Sequence, residues 1–198
     1  LSLLKLGEEA RVPLSRFSLE GGARKGLRRV VKNVEKEGCT FEIVPEGAVG
    51  AQLPTLRAIS DEWLAAKRTR EKGFSLGCFD ARYLALAPVA LVRRGGDVVA
   101  FANLWIGGGH DELSVDLMRY AAGAPEGVMD YLVIELMQWG RDHGYAHFSL
   151  GMAPLSGLDA SPVASLWTKA GSFVYKQGEA LYNFQGLRAY KDKFDPIW

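Results

Sequence analysis

The sequence predicts an α+β fold: a mixed, mostly antiparallel sheet flanked by helices. Three observations carry this prediction. Residues 89–120 hold three alternating apolar runs separated by glycine-rich turns, the pattern of an antiparallel meander. A helical repeat over Val128–Asp142 then leads into a further strand at Ala146–Leu150. Two amphipathic helical patterns and a short strand precede the meander, so helices are available for both faces of the sheet.

The elements follow in order. Residues 1–21 are mixed, and Phe17–Gly22 reads as a turn into a helix spanning 23–37. Leu27, Val30, Val31 and Val34 form its apolar stripe, and Gly38 stops it. Cys39–Val44 alternates as a strand. Leu53–Arg70 is a second amphipathic helix with Leu56, Ile59, Trp63 and Leu64 on one side. Asp80 is an N-cap for a short helix. Val89–Arg93 and Val98–Trp105 flank the turn Gly95-Gly96-Asp97, and Gly107–Asp111 turns into the strand Leu113–Tyr120. After Leu150 comes a polar loop, Gly151–Ser156. Ser161-Pro162 caps a helix to about Ala170, Ala180–Phe184 is a last strand, and Gln185–Phe194 a basic last helix. Trp63, Trp105, Trp139 and Trp167 read as core residues.

Composition bounds the function classes. The 198 residues are 48% hydrophobic, enough for a sizeable core. Twenty-four basic residues against 23 acidic ones leave no global cationic excess, so any nucleic-acid signal must be local. Such a signal exists in the first helix, where Arg24, Lys25, Arg28, Arg29, Lys32 and Lys36 cover most of the non-apolar surface. That footprint suits RNA phosphate, and equally an anionic lipid surface. Cys39 and Cys78 show neither metal nor redox spacing and suit a reducing compartment. His110, His143 and His147 have no ligand spacing, so no metal is expected, and none of them belongs to a Ser–His–Asp nucleophile motif. No run reaches the roughly 18 apolar residues of a membrane helix. The chain begins at Leu1 and ends at Trp198 directly after a dense motif, and it reads as a piece of a larger protein.

The element order matches the fold of the Gcn5-related N-acetyltransferases. Acetyl-CoA enzymes of that fold hold pyrophosphate on the N–H groups of a Gln/Arg-x-x-Gly-x-Gly/Ala turn. Here the turn is Arg119-Tyr120-Ala121-Ala122-Gly123-Ala124-Pro125, with altered spacing and a proline that offers no N–H. This argues against acetyl-CoA, and no cofactor is expected.

A second set of segments is more specific. Phe17–Gly21, Lys72–Gly77, Val99–Asn103, Asp116–Tyr120, Gly127–Asp130, Leu150–Ser156, Tyr182–Arg188 and Lys191–Phe194 together resemble the C-terminal cytosolic domain of the multiple peptide resistance factor family, the aminoacyl-phosphatidylglycerol synthases. The segments run in family order over nearly the whole chain. The resemblance implies transfer of a lysyl or alanyl group from aminoacyl-tRNA, the donor substrate, to phosphatidylglycerol at the cytoplasmic face of a bacterial membrane. It also implies partners within the same protein, namely a preceding acyltransferase-like domain and transmembrane segments. On this reading residues 1–38 are a linker region with the basic helix, and 39–198 form the aminoacyltransferase domain.

Ester exchange needs a base for the attacking hydroxyl, donors for the oxyanion and an acceptor for the α-ammonium group. Asp116 can serve the amine or the hydroxyl, and Arg119 can bind phosphate or stabilise the oxyanion. Strand alternation puts these two side chains on opposite faces. The resemblance implies that Lys191, with Lys193 beside it, contacts the tRNA end or the reacting ester. It also implies a functional glutamate near the first helix, for which Glu35 is the candidate. Asn103 and Ser156 are further substrate-binding candidates. Arg24, Lys25, Arg28, Arg29, Lys32 and Arg188 are candidates for tRNA phosphate. The alternatives are an acyl-CoA-dependent N-acetyltransferase and a non-catalytic tRNA- or membrane-binding module.

Overall fold

The structure is a computed structural model, and it describes residues 7–71, 77–154, 156 and 184–198. The chain forms two compact units: a larger one, Leu14–Phe148, and a smaller one made from Leu1–Pro13 and Ser149–Trp198.

In the larger unit the elements are α1 (Lys25–Lys36), β2 (Cys39–Val44), α2 (Glu46–Val49), α3 (Leu53–Ala66), α4 (Ala81–Leu84), β3 (Val89–Arg94), β4 (Asp97–Ile106), β5 (Glu112–Tyr120) and α5 (Val128–Asp142). Strands β2, β3, β4 and β5 pair antiparallel in that order, as the meander predicts. Gly95 and Gly96 turn β3 into β4 with φ of 60° and 98°, values that suit the right-handed twist of a tight hairpin and that side chains resist. Helix α5 then carries the chain to β6 (His147–Pro154), which begins in this unit. There Ala146 and His147 donate to the carbonyls of His110 and Asp111 at 2.9 and 3.2 Å, beside the start of β5. The strand–helix–strand step makes the sheet mixed.

Helix α3 packs on one face of the sheet and α5 on the other. Strand β4 is accordingly buried over Val98–Leu104. The α3 layer is a cluster of Val49, Leu56, Ile59, Phe79, Leu84, Leu91, Phe101 and Leu117, with Tyr83 packed against it. Asp80 caps α4 as expected, accepting from the N–H groups of Arg82 and Tyr83 at 2.8 and 3.0 Å. Gly38 ends α1 with φ 79°.

The smaller unit holds β1 (Gly7–Pro13), the remainder of β6 and a last described helix, α6 (Phe184–Asp192). β1 neighbours β6. Arg11 and Ile197 exchange backbone hydrogen bonds of 2.9 and 2.7 Å. Gly7 has no side chain because a Cβ there would lie 2.4 Å from the Ala153 carbonyl oxygen.

Several expectations need correction. β1 was not foreseen, because only Ala10 and Val12 signal its alternation between polar neighbours. The segment Gly151–Pro154 is not a loop but the continuation of β6. Helix α3 stops at Ala66 rather than Arg70. Arg68 adopts φ 50°, and the N–H groups of Arg68 and Thr69 return to the carbonyls of Ala65 and Leu64. This is a left-handed helix stop without its usual glycine, and so without its usual signal. α6 ends at Asp192, two residues short of Phe194. Trp105 is 53% exposed and is not a core residue. The helix expected from Ser161, Trp167 and the strand expected over 180–183 lie outside the described residues; Phe184, expected to end that strand, opens α6 instead.

Candidate active site

The site begins with a fault in strand alternation. β4 and β5 pair Ala102 with Met118 and Leu104 with Val115, so Asn103 alone faces the two residues Asp116 and Leu117. That is a β-bulge. Its effect is visible in the leucines. Leu113 lies on the α5 side, close enough that a Cβ on Gly140 would sit 3.0 Å from it. Leu117, at the same parity in sequence, belongs to the α3-side cluster. The bulge reverses the phase of the strand, and the expectation that Asp116 and Arg119 face opposite ways fails for this reason. Asp116 reaches Gly77 and Tyr83, and Arg119 reaches Glu71 and the Trp63 ring of α3, so both turn to the α3 side.

Asp116 accepts from the Gly77 N–H on Oδ1 and from the Tyr83 hydroxyl on Oδ2, each at 2.8 Å. Gly77 is required here, since an added Cβ would stand 2.0 Å from Oδ2. The Tyr83 oxygen in turn accepts from Asn103 Nδ2 at 3.2 Å and Trp105 Nε1 at 2.6 Å. Burial pushes the Tyr83 phenol above its ordinary pKa, and the hydrogen bond to Asp116 adds to that rise. Asn103 has no exposed surface, and its Oδ1 takes the Leu117 N–H at 2.7 Å.

Arg119 donates to Glu71 Oε2 at 3.1 Å and to the Met118 carbonyl at 3.0 Å, with its guanidinium 4.2 Å over the Trp63 ring. Glu71 Oε1 accepts from the Phe79 N–H at 3.2 Å. Among the described residues the buried Arg119 Nε has no hydrogen-bond partner. Burial lowers the Arg119 pKa, an effect that Glu71 opposes. A guanidinium held by Glu71 on one terminal nitrogen keeps further N–H groups that can meet an oxyanion.

The smaller unit has its own polar group. Lys191 is 4% exposed and donates to the carbonyls of Gly151 and Met152, both at 2.8 Å. Burial brings its pKa down to about 8, against a weaker opposing effect of Glu9. Ser149 donates to Glu9 Oε1 at 2.7 Å and accepts from the Gly151 N–H at 3.1 Å. Ser156 and Arg188 share Glu8 Oε2, at 3.3 and 2.6 Å, and Arg188 lies 4.0 Å over the Trp198 ring. The exposed Lys193 sits 4.6 Å over Tyr190.

α1 packs on α5 and β2. Lys25, Arg29 and Lys32 are exposed on it, and Arg24 precedes it. Arg28 is exposed as well but is tied to the carbonyls of Leu19 and Gly21. Glu35 is exposed and interacts unfavourably with Glu135, whose pKa is raised chiefly by burial. These residues belong to the α5 side of the sheet, whereas Asp116 and Arg119 belong to the α3 side. Sequence reasoning missed Glu71, Tyr83, Glu8 and Glu9. Tyr83 sits in a four-residue helix with no motif of its own, and the two glutamates lie on the unforeseen β1. In the turn after β5, the N–H groups of Ala121 and Ala124 bond to Val99 and Ala121 carbonyls, so neither is free to cradle a phosphate.

The α+β plan with its bulged central strand is that of an acyltransferase-like fold, and the turn after β5 lacks the spacing used to hold CoA. Residues 1–198 match the family described as "Phosphatidylglycerol lysyltransferase, C-terminal", and the chain belongs to it. Curated relatives include the phosphatidylglycerol lysyltransferases of Bacillus subtilis, 42% identical over 100% of this chain, and of Staphylococcus xylosus, 36% identical over 98%. The chain spans 23% of the length of each. The solved structure of L-PGS from Bacillus licheniformis is similar at 42% identity and a TM-score of 0.81, covering 98% of this chain and 58% of that one. A C-terminal DUF2156 domain from Agrobacterium fabrum gives 44% identity and a TM-score of 0.85 with the same coverage. FemX, at 12% identity and a TM-score of 0.54, covers 81% of this chain and 56% of that one and shares the fold alone.

Two predictions follow from this geometry. Gly77→Ala destabilises the chain by about 1–3 kcal/mol in urea unfolding, since the Asp116 carboxylate must give way. In an Asp116→Ala background most of that cost disappears, because the clashing atoms are gone. For Lys191, the folded pKa of about 8 lies below the ordinary 10.5, so between these values the unfolded chain binds more protons. Its contribution to stability therefore rises with pH over that window. The Lys191→Met chain lacks this rise, which chemical denaturation at pH 7.5, 9 and 10.5 measures.

Proposed function

We propose that this chain is the aminoacyl-transfer domain of a phosphatidylglycerol aminoacyltransferase that uses aminoacyl-tRNA as donor. The observation that supports this best is the placement of Asp116 and Arg119 on the α3 side by the β5 bulge, in a chain that belongs to this family throughout its length. The amino acid carried is lysyl or alanyl, and the acceptor is a glycerol hydroxyl of phosphatidylglycerol.

One ester is exchanged for another. The lipid hydroxyl attacks the aminoacyl carbonyl, its proton leaves to a base, and the tRNA 3′ oxygen departs with a proton. Asp116 has one lone-pair direction left on each oxygen and takes the α-ammonium group or the hydroxyl proton. Arg119 keeps terminal N–H groups beyond those given to Met118 and Glu71, and these meet the charge that develops on the carbonyl oxygen. Lys191, whose pKa burial lowers to about 8, is a group able to exchange a proton near neutral pH. The exposed Lys25, Arg29 and Lys32, with Arg24, supply phosphate contacts for tRNA. Arg188, Lys193 and Ser156 are further candidates for substrate contact, while Asn103 acts from within the fold through Tyr83 and Glu35 stays on the α5 side.

Among the described residues no helix is long and apolar enough to cross a membrane. On this reading the chain works at the cytoplasmic face of the membrane beside a preceding acyltransferase-like domain and transmembrane segments, with α1 in the connection. The product carries an added amine, which weakens the attraction of the surface for cationic peptides.

The test is to incubate the full-length protein with phosphatidylglycerol vesicles and, separately, Lys-tRNA and Ala-tRNA. One charged tRNA yields aminoacyl-lipid, and Asp116→Ala lowers the rate at least about a hundredfold while the protein stays folded. Unchanged product from Asp116→Ala would make this domain a binding module.

A further inference from the structure

The hydrogen bonds around Tyr83 have a fixed direction. An indole N–H can only donate, and so can the Nδ2 of an asparagine whose Oδ1 is already an acceptor. Trp105 Nε1 and Asn103 Nδ2 therefore occupy both lone-pair directions of the Tyr83 oxygen, at 2.6 and 3.2 Å. Asn103 cannot flip, since its Oδ1 accepts the Leu117 N–H at 2.7 Å. The phenol proton is left with one destination, Asp116 Oδ2 at 2.8 Å. With Gly77 N–H on Oδ1, the carboxylate is clamped at both oxygens. Trp105 is 53% exposed, and Asp116 at the other end of the relay is only half-buried, so a ligand can reach the carboxylate.

We propose that Tyr83 is the positioning residue of Asp116, and that Trp105 and Asn103 orient it by filling both acceptor sites of its hydroxyl. The ligand positioned is the cationic amine of an aminoacyl group, and this part rests on the function proposed above. A hydrogen bond to a charged group is worth roughly tenfold or more in binding. A phenyl ring in place of the phenol keeps the packing against the α3-side cluster and removes only the hydroxyl.

Two experiments test this. In the 198-residue chain, indole N–H resonances report the relay without any activity. The Trp105 signal, assigned by its loss in Trp105→Phe, moves upfield and exchanges faster in Tyr83→Phe, and it also moves in Asp116→Asn. A Trp105 signal indifferent to either change overturns the relay, whatever the protein does. In the full-length protein, Tyr83→Phe raises KM for aminoacyl-tRNA about tenfold, with kcat within about twofold. Inhibition by uncharged tRNA, which lacks the amine, is unchanged, and Trp105→Phe gives a smaller rise in KM. An unaltered KM, or an equal loss of affinity for uncharged tRNA, overturns the positioning role. A wild-type protein that charges no lipid defeats the proposed function and leaves the indole result to decide the relay.

Discussion

Asn103 has no exposed surface, and its side-chain amide holds two things at once: the N–H of Leu117 and the hydroxyl of Tyr83. A buried amide left unsatisfied is costly, so both bonds matter to the fold as well as to the site. The first bond stands in for a ladder hydrogen bond that the bulge removes. The second starts the chain of donors that ends on Asp116. An apolar residue at position 103 would leave the Leu117 N–H at the bulge and the Tyr83 hydroxyl without these partners.

The consequences spread outward from that one residue. Past the bulge, Leu117 joins Phe101, Leu56 and Ile59 in the α3-side core, and Arg119 follows it to the same side. The segment 71–83 then has to carry acceptors and donors for both. Glu71 receives Arg119, Gly77 presents its N–H to Asp116 at a distance no side chain permits, and Tyr83 completes the carboxylate's contacts. A bulge in a central strand re-aims side chains where a function needs them, and here it brings an acid and a base to one place without pairing them.

Much of the fold was legible in the sequence because its signals are local. The hairpin at Gly95-Gly96, the stop at Gly38 and the cap at Asp80 announce themselves through turn and capping chemistry, and helix Val128–Asp142 through its apolar repeat. Asp116, Arg119 and Asn103 are site candidates on the sequence alone, and the structure ties Asn103 to Asp116 through Tyr83 and gives Arg119 to Glu71. What could not be read was register. Alternation alone puts residues 116 and 119 on opposite faces, and nothing in a single strand reveals a bulge that depends on a side chain in its neighbour. β1 was hidden for a similar reason: two apolar residues among glutamates and an arginine become a strand only beside β6. Trp105 misled because indoles are usually buried, and this one places its N–H inward and its ring outward.

The central claim is that the Asn103 side chain holds the β5 bulge, and hydrogen exchange at the Leu117 amide tests it most directly. In the wild-type chain that N–H is buried and bonded to Asn103 Oδ1 at 2.7 Å, and slow exchange is the expected result. In Asn103→Leu its protection falls by about tenfold or more relative to the amides of Phe101 and Met118, which lie in the regular ladder. Unchanged protection of Leu117 in that variant would contradict the account.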